Sequence, residues 1–139
     1  MAGIKKALLK HLTEDLYCRL GVSKVHGVGV FALRPIEKGV QPFNSLVRSK
    51  EVKFSRKELE ALPKGVRKQL EIFCYYEEDT IYIPSIGFNC LDMAIYVNHS
   101  KKPNLSFKKN GSLYAIRNIK KGEELMIDYD VSFGEKHKF

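Results

Sequence analysis

The chain has little cysteine, and what it has is not arranged in pairs. Cys18, Cys74 and Cys90 are the only three in 139 residues, with no Cys-x-x-Cys among them. Such a set argues against a disulfide framework and a thiolate zinc site. It favours a reducing, cytoplasmic-type interior in which thiols pack as small hydrophobes. His11, His26 and His137 show no ligand spacing, so no metal is expected. Acidic residues are outnumbered: 16 Asp and Glu stand against 24 Lys and Arg, a formal net charge of +8. The excess favours anionic partners such as nucleic acid, acidic proteins or membrane headgroups, unless it serves solubility alone. No apolar run reaches the length of a membrane span, and the start lacks the unbroken apolar core of a signal peptide. The expected location is cytoplasmic, or a host cell if delivery needs no cleaved peptide. Repeats, linkers and low-complexity tracts are absent.

What is present fits one folded domain. Its length is enough for a core without staples, and 44% hydrophobic with 11% aromatic residues excludes general disorder. Leu8, Leu9, Leu12 and Leu16 recur at helical spacing within Ile4 to Leu16, a short amphipathic helix whose default is to dock on its own domain, with pairing of two chains or lying on a membrane as the alternatives. With the first part of its lead-in strand, which runs from Tyr17 to Val22, it occupies residues 1–20. Strands are expected over Val28 to Leu33, Val40 to Val47 (interrupted by Pro42) and Thr80 to Ile83. Ser55-Arg56-Lys57-Glu58 is a capping box, and Pro63 ends or restarts the helix that follows. Asn110-Gly111, between Leu105–Phe107 and Leu113–Ile116, signals a type I′ hairpin.

Three further stretches stand out. The first is Gly27-Val28-Gly29-Val30-Phe31-Ala32, followed by Ile36-Glu37-Lys38-Gly39. The second is Tyr96-Val97-Asn98-His99-Ser100-Lys101-Lys102-Pro103-Asn104, where amide, hydroxyl and imidazole groups crowd beside a proline. Asn and Ser side chains bond nearby backbone and hold such a loop in one shape. The third is Gly122-Glu123-Glu124-Leu125-Met126-Ile127-Asp128-Tyr129, a turn, a short strand and a terminal aromatic. Singly, each reads equally as a turn or strand end.

Together, in this order, they resemble the SET-domain protein-lysine methyltransferases. Asn98 to Asn104 matches the family's Asn-His-Ser-x-x-Pro-Asn, and Gly122 to Tyr129 its Gly-Glu-Glu-Leu-x-x-x-Tyr. The resemblance implies a mostly β (β+α) fold. Small curved sheets would surround a C-terminal pseudoknot in a SET β-clip over residues 21–139, with a short helical insert at about 52–92. It implies S-adenosylmethionine as cofactor and a protein lysine as methyl acceptor. The substrate class it points to is a histone or other basic DNA-associated protein, and the chain would act as a monomer or homodimer.

The resemblance also assigns residues. Tyr129 would point its hydroxyl at the reacting methyl and amine. His26, Gly27, Val28 and Gly29 would curve around the cofactor, with glycine admitting close backbone approach. Tyr96, Asn98 and His99 would meet it from the other side. Glu123 and Glu124 would be structural. Ile127 stands where the family often has Phe or Tyr, with Phe107 placed to supply the missing ring of the substrate channel. Glu77 and Glu78, in the one concentrated acidic run, read either as a solvated turn or as a contact for basic residues of the substrate. Ile95 and Lys101 replace a common arginine and cysteine. Asp130 to Phe139 lacks the family's zinc-binding cysteines, so Phe133 is the residue expected to cover the cofactor. The alternative reading is a non-catalytic SET-like module that binds an acidic protein or nucleic acid.

Overall fold

The computed structural model describes residues 2–47 and 50–130. In chain order its main elements are α1 (Ala2–Glu14), β1 (Cys18–Val22), β2 (Val28–Ala32), β3 (Glu51–Ser55), α2 (Lys64–Phe73), β4 (Tyr75–Glu77) and β5 (Thr80–Pro84). There follow β6 (Asn98–His99), β7 (Leu105–Phe107), β8 (Leu113–Ala115) and β9 (Glu124–Ile127). Strands in small sheets with two α-helices make the described residues mostly β, as expected. The chain divides into two compact units, Met1–Val47 with Tyr96–Phe139, and Arg48–Ile95. No described helix is long and apolar enough to cross a membrane.

The first unit is organised by a four-stranded sheet of order β1-β2-β9-β6. β1 and β2 pair antiparallel from Cys18↔Ala32 to Val22↔Val28. β9 joins through Val30↔Leu125, and β6 lies parallel to β9 with Asn98 opposite Met126. Along β9 the side chains alternate, so Leu125 and Ile127 are buried while Glu124 and Met126 are only partly covered. The core of this unit gathers Val30, Ile36, Val97, Leu105, Ile119 and Leu125, each almost fully enclosed. Burying one such side chain is worth about 1.5–3 kcal/mol. Two long-range ties are therefore carried mainly by β9: one to the glycine segment and one to the Asn98 segment.

Local details depart from the sequence reading at four points. Residues 40–47 form no strand, since Pro42 removes a ladder donor. Only Val40 finds a strand-like partner, accepting a bond from the Ala115 N–H. The β7–β8 hairpin is not type I′: Gly111 has φ of 85° but Asn110 does not share the left-handed region. Its loop is a turn closed by Gly111 N–H to Lys108 O, with Asn110 Oδ1 accepting from the Ser112 N–H. The capping box forms as expected, Ser55 N–H to Glu58 Oε2 at 2.8 Å and Glu58 N–H to Ser55 Oγ at 3.2 Å, but it opens a 3-10 turn over Lys57–Leu59. Pro63 then starts α2. Finally, α1 buries none of its residues: Ile4, Leu8, Leu9 and Leu12 are 44–66% exposed. Arg34 tethers the end of α1 by bonding Thr13 O and stacking over the Tyr17 ring, which holds the helix without covering its leucines.

In the second unit β3, β5 and β4 form an antiparallel sheet. Leu59, Leu70, Cys74 and Ile81 make its core, flanked by Phe54, Leu62, Tyr76, Ile83 and Phe88. Glu78, at φ 53°, sits in the tight turn between Glu77 and Thr80.

Candidate active site

The sheet order places residues 28–32, 98–99 and 124–127 on adjacent strands, although they are far apart in sequence. Asn98 is the knot of polar contacts between them. Its side chain is buried, and Nδ2 lies 2.9 Å from His26 O, 3.2 Å from Val28 O and 3.0 Å from Glu124 Oε2. Two amide hydrogens are thus shared among three acceptors. The carbonyls on either side of Gly27 are thereby drawn toward Asn98.

Glu124 completes this tie. Its carboxylate also accepts from Ser23 Oγ at 2.8 and 2.9 Å, while Ser23 Oγ accepts the N–H groups of Val25 and His26. Glu123 fastens the neighbouring turn. Its carboxyl is held below the ordinary value by the Lys120 N–H and, secondarily, by Arg117 at 3.0 Å. Both glutamates are structural ties, which fits the role expected of them.

The two glycines of the loop have different reasons to be glycine. Gly27 has φ of 49°, a conformation unfavourable for residues with Cβ, and the space where a Cβ would stand is open. Gly29 is buried, and a Cβ there would lie 2.5 Å from Glu124 Oε2 and 2.9 Å from its Cδ. The room left by Gly29 is therefore occupied by Glu124. Close approach of a ligand is open at His26, Gly27 and Val28, all of which are exposed.

Tyr129 follows directly on β9. Its backbone N–H donates to His99 Nδ1 at 3.0 Å, and its hydroxyl donates to Val97 O. The two rings lie 5.3 Å apart at 53°. Burial pushes the Tyr129 hydroxyl up to about 12, so it stays protonated across the working range of proteins. Because His99 Nδ1 accepts an N–H, its lone pair is used; the Asp128 Oδ1 contact at 3.9 Å is then no charge pair in that tautomer.

A second cluster flanks the tyrosine. Asp128 Oδ1 accepts the Asp130 N–H, and the exposed Lys101 ammonium bridges Asp130 and Asp128. Its partners, Asp130 foremost, hold Lys101 above the ordinary lysine value. His99, Asp128 and Asp130 each bring a ligand atom within 4.8 Å of the others, but Lys101 already supplies the positive charge.

Of the remaining expected site residues, Tyr96 ends a short 3-10 turn at Met93–Tyr96 and is half-buried. Ile127 is 4% exposed and pairs with His99 in the sheet, so it is part of the core wall beneath the site. Phe107 lies on the β7–β8 hairpin opposite Leu113, and β7 packs against β9. Glu77 and Glu78 lie at the hairpin turn of the second unit. Phe133 falls outside the described residues.

Sequence reasoning missed the role of Asn104. Its side chain is buried; Oδ1 accepts the Met126 N–H at 2.8 Å and Nδ2 donates to Glu124 O at 2.9 Å. It serves β9 as a substitute strand partner. The signal was there: an Asn directly after a proline, in a loop rich in groups that bond backbone.

Comparison with known proteins bears on the same residues. The SET domain family model matches residues 27–130. No curated protein matches in sequence. Among solved structures, a Plasmodium falciparum protein assigned as a candidate histone methyltransferase has a TM-score of 0.52 at 23% identity, over 86% of this chain and 98% of that one, a likeness of fold. A chain of a humanized mutant of Chaetomium thermophilum Polycomb Repressive Complex 2, bound to the inhibitor GSK126, gives 0.56 at 26% over 87% of this chain. A ctPRC2 chain in an autoinhibited conformation bound to S-adenosylmethionine gives 0.55 at 25%, again over 87%. This chain spans 16% of each of those two Polycomb chains. The family match covers the glycine loop, the Asn98 segment and Tyr129 in one stretch, and the chain belongs to the SET-domain family.

Proposed function

We propose that the protein transfers the methyl group of S-adenosylmethionine to the side-chain amine of a protein lysine. The observation that carries this reading is the position of Tyr129, its hydroxyl anchored on Val97 O beside Asn98 and His99. The SET family match, and a neighbour bound to S-adenosylmethionine, support the cofactor. The chain's own residues fit it. Gly27 leaves an open, Cβ-free stretch, and Asn98 holds the carbonyls on both sides of it in place. His26, Gly27, Val28, Tyr96, Asn98 and His99 are the residues that would hold the ligand.

When bound, S-adenosylmethionine supplies an electrophilic methyl on a positively charged sulfur. The acceptor lysine must arrive neutral, although an ordinary lysine titrates near about 10.4. An apolar surround and a nearby positive charge both lower that value. Tyr129 is not the base, because its own hydroxyl is held protonated. Its proton is committed to Val97 O, which leaves the hydroxyl oxygen as an acceptor that can orient an amine N–H. The work of Tyr129 is therefore positioning of the acceptor.

The substrate we infer is a histone or another basic DNA-associated protein, in keeping with the Plasmodium neighbour's description. The parallel β6–β9 pairing supports a knotted C-terminal arrangement in which the last segment passes beside Asn98. The test is transfer of labelled methyl from S-adenosylmethionine to histones and basic DNA-binding proteins, followed by hydrolysis to amino acids. Methyl-lysine is expected. Cofactor binding with no label on lysine in any of these would overturn the reading.

A further inference from the structure

The net positive charge is not spread over the protein. The first unit holds 16 of the 24 Lys and Arg and 8 of the 16 Asp and Glu, for a net of +8; the second holds 8 and 8, for a net of zero. Within the first unit the excess is concentrated again. From Lys101 to Lys121 there are seven basic residues and no acidic one, and all seven are exposed.

The backbone brings these residues onto one group of neighbouring segments. Lys101 and Lys102 precede β7, Lys108 and Lys109 lie at the tip of the β7–β8 hairpin, and Lys120 and Lys121 lie in the turn before β9. Across β8 from β7 runs the segment 36–40, tied by the Ile36↔Ile119 bridge and by Gly39 N–H to Ala115 O. That segment adds Lys38, whose N–H is held by Asn118 Oδ1. Two of the cations are already engaged, Lys101 by Asp128 and Asp130 and Arg117 by Glu123. Lys38, Lys102, Lys108, Lys109, Lys120 and Lys121 form no ion pair among the described residues.

We propose that this lysine face binds the phosphate backbone of a nucleic acid without reading its sequence. The charge fits a polyanion backbone: six exposed lysines on neighbouring segments, compact point charges able to neutralise successive phosphates, have no ion-pair partner among the described residues. No large apolar side chain described between Tyr96 and Asp130 is exposed, so the face offers nothing to insert into a lipid bilayer. Binding here does not depend on methyl transfer.

The test is fluorescence anisotropy of the whole chain with a labelled DNA duplex of arbitrary sequence, titrated over a range of salt. If all six lysines engage, affinity falls about 10³-fold between about 50 and 200 mM salt. The variant K108Q/K109Q/K120Q/K121Q should flatten the logarithmic salt slope by about 3 to 4, since each lost phosphate contact removes about 0.9. The control K53Q/K57Q/K64Q/K68Q removes the same charge from the neutral second unit and should leave the slope unchanged. All eight side chains are exposed, and thermal unfolding checks that both variants fold. Salt-sensitive binding lost only in the first variant supports the proposal. It is overturned by no duplex binding at about 50 mM salt, by equal loss in the control, or by poly-glutamate or anionic vesicles competing as well as DNA.

Discussion

Replacing Gly29 by alanine tests the polar tie beneath the site. The added Cβ would lie 2.5 Å from Glu124 Oε2 and 2.9 Å from Glu124 Cδ. Neither contact is tolerable, and the carboxylate is the group able to move. Moving it breaks the bonds from Ser23 Oγ and Asn98 Nδ2. Hydrogen bonds to a charged group contribute about 1.5–3 kcal/mol each, and this one is only half-buried, so a total loss of about 2–4 kcal/mol is expected. Gly27→Ala is the contrast: it meets no neighbour but must hold φ of 49°, costing about 1 kcal/mol. Urea denaturation of both variants gives the comparison directly. A double-mutant cycle then isolates the cause, because Glu124→Ala removes the two shortest contacts and leaves the Cβ facing Ser23 Cβ at 3.1 Å, a tight contact that a small shift relieves. Gly29→Ala should cost under about 1 kcal/mol in that background. Additive losses, or a neutral Gly29→Ala in the parent, would refute the assignment of that space to Glu124.

Asn104→Ala should destabilise by about 2–4 kcal/mol, because the Met126 N–H and Glu124 carbonyl lose their partners; denaturant unfolding measures it, and a loss below about 0.5 kcal/mol would contradict the role given to Asn104. Burial pushes the Cys18 thiol up to about 12 and the Cys74 thiol up to about 11, whereas Cys90 is exposed. A thiol reagent near neutral pH should therefore label one cysteine in the folded protein and three in denaturant, read by mass. The same shifts give a pH dependence. Folded values raised above the ordinary 9.0 for Cys18 and Cys74 and 10.0 for Tyr129 mean full stability below pH 9, falling as pH rises toward 11 and 12. The thermal midpoint should drop over that interval, less steeply in Cys18→Ala, and a flat profile would count against burial of these groups.

The site was legible where spacing and residue type agree with a local need. Asn98, His99 and Tyr129 announce themselves as a motif, and the structure brings His99 and Tyr129 into direct contact while Asn98 ties the glycine loop to Glu124. The capping box at Ser55 and the turn at Gly122 follow from local chemistry and appear as read. What failed depended on partners distant in sequence. Nothing near Gly29 says that Glu124 will fill its space, and Ser23 becomes a loop anchor only because the same carboxylate arrives from β9. The Asn110-Gly111 pair settled into a loop with one left-handed residue instead of two, because the Lys108 carbonyl is met by the Gly111 N–H. The leucines of α1 have helical spacing, which fixes the helix but says nothing of what covers it.

Calorimetric titration of S-adenosylmethionine and S-adenosylhomocysteine into the wild-type protein and Tyr129→Phe addresses the central claim most directly. The cofactor residues lie on the glycine loop and the Asn98 segment, whereas Tyr129 contributes its hydroxyl to the acceptor side. Both proteins should therefore bind both compounds with similar affinity, while labelled-methyl transfer by Tyr129→Phe falls about 10²-fold, the loss that misplacing a reacting group by about 1 Å causes. Absence of heat with either compound in the wild type, repeated with basic peptide present, would contradict the account and leave a SET-fold binding module.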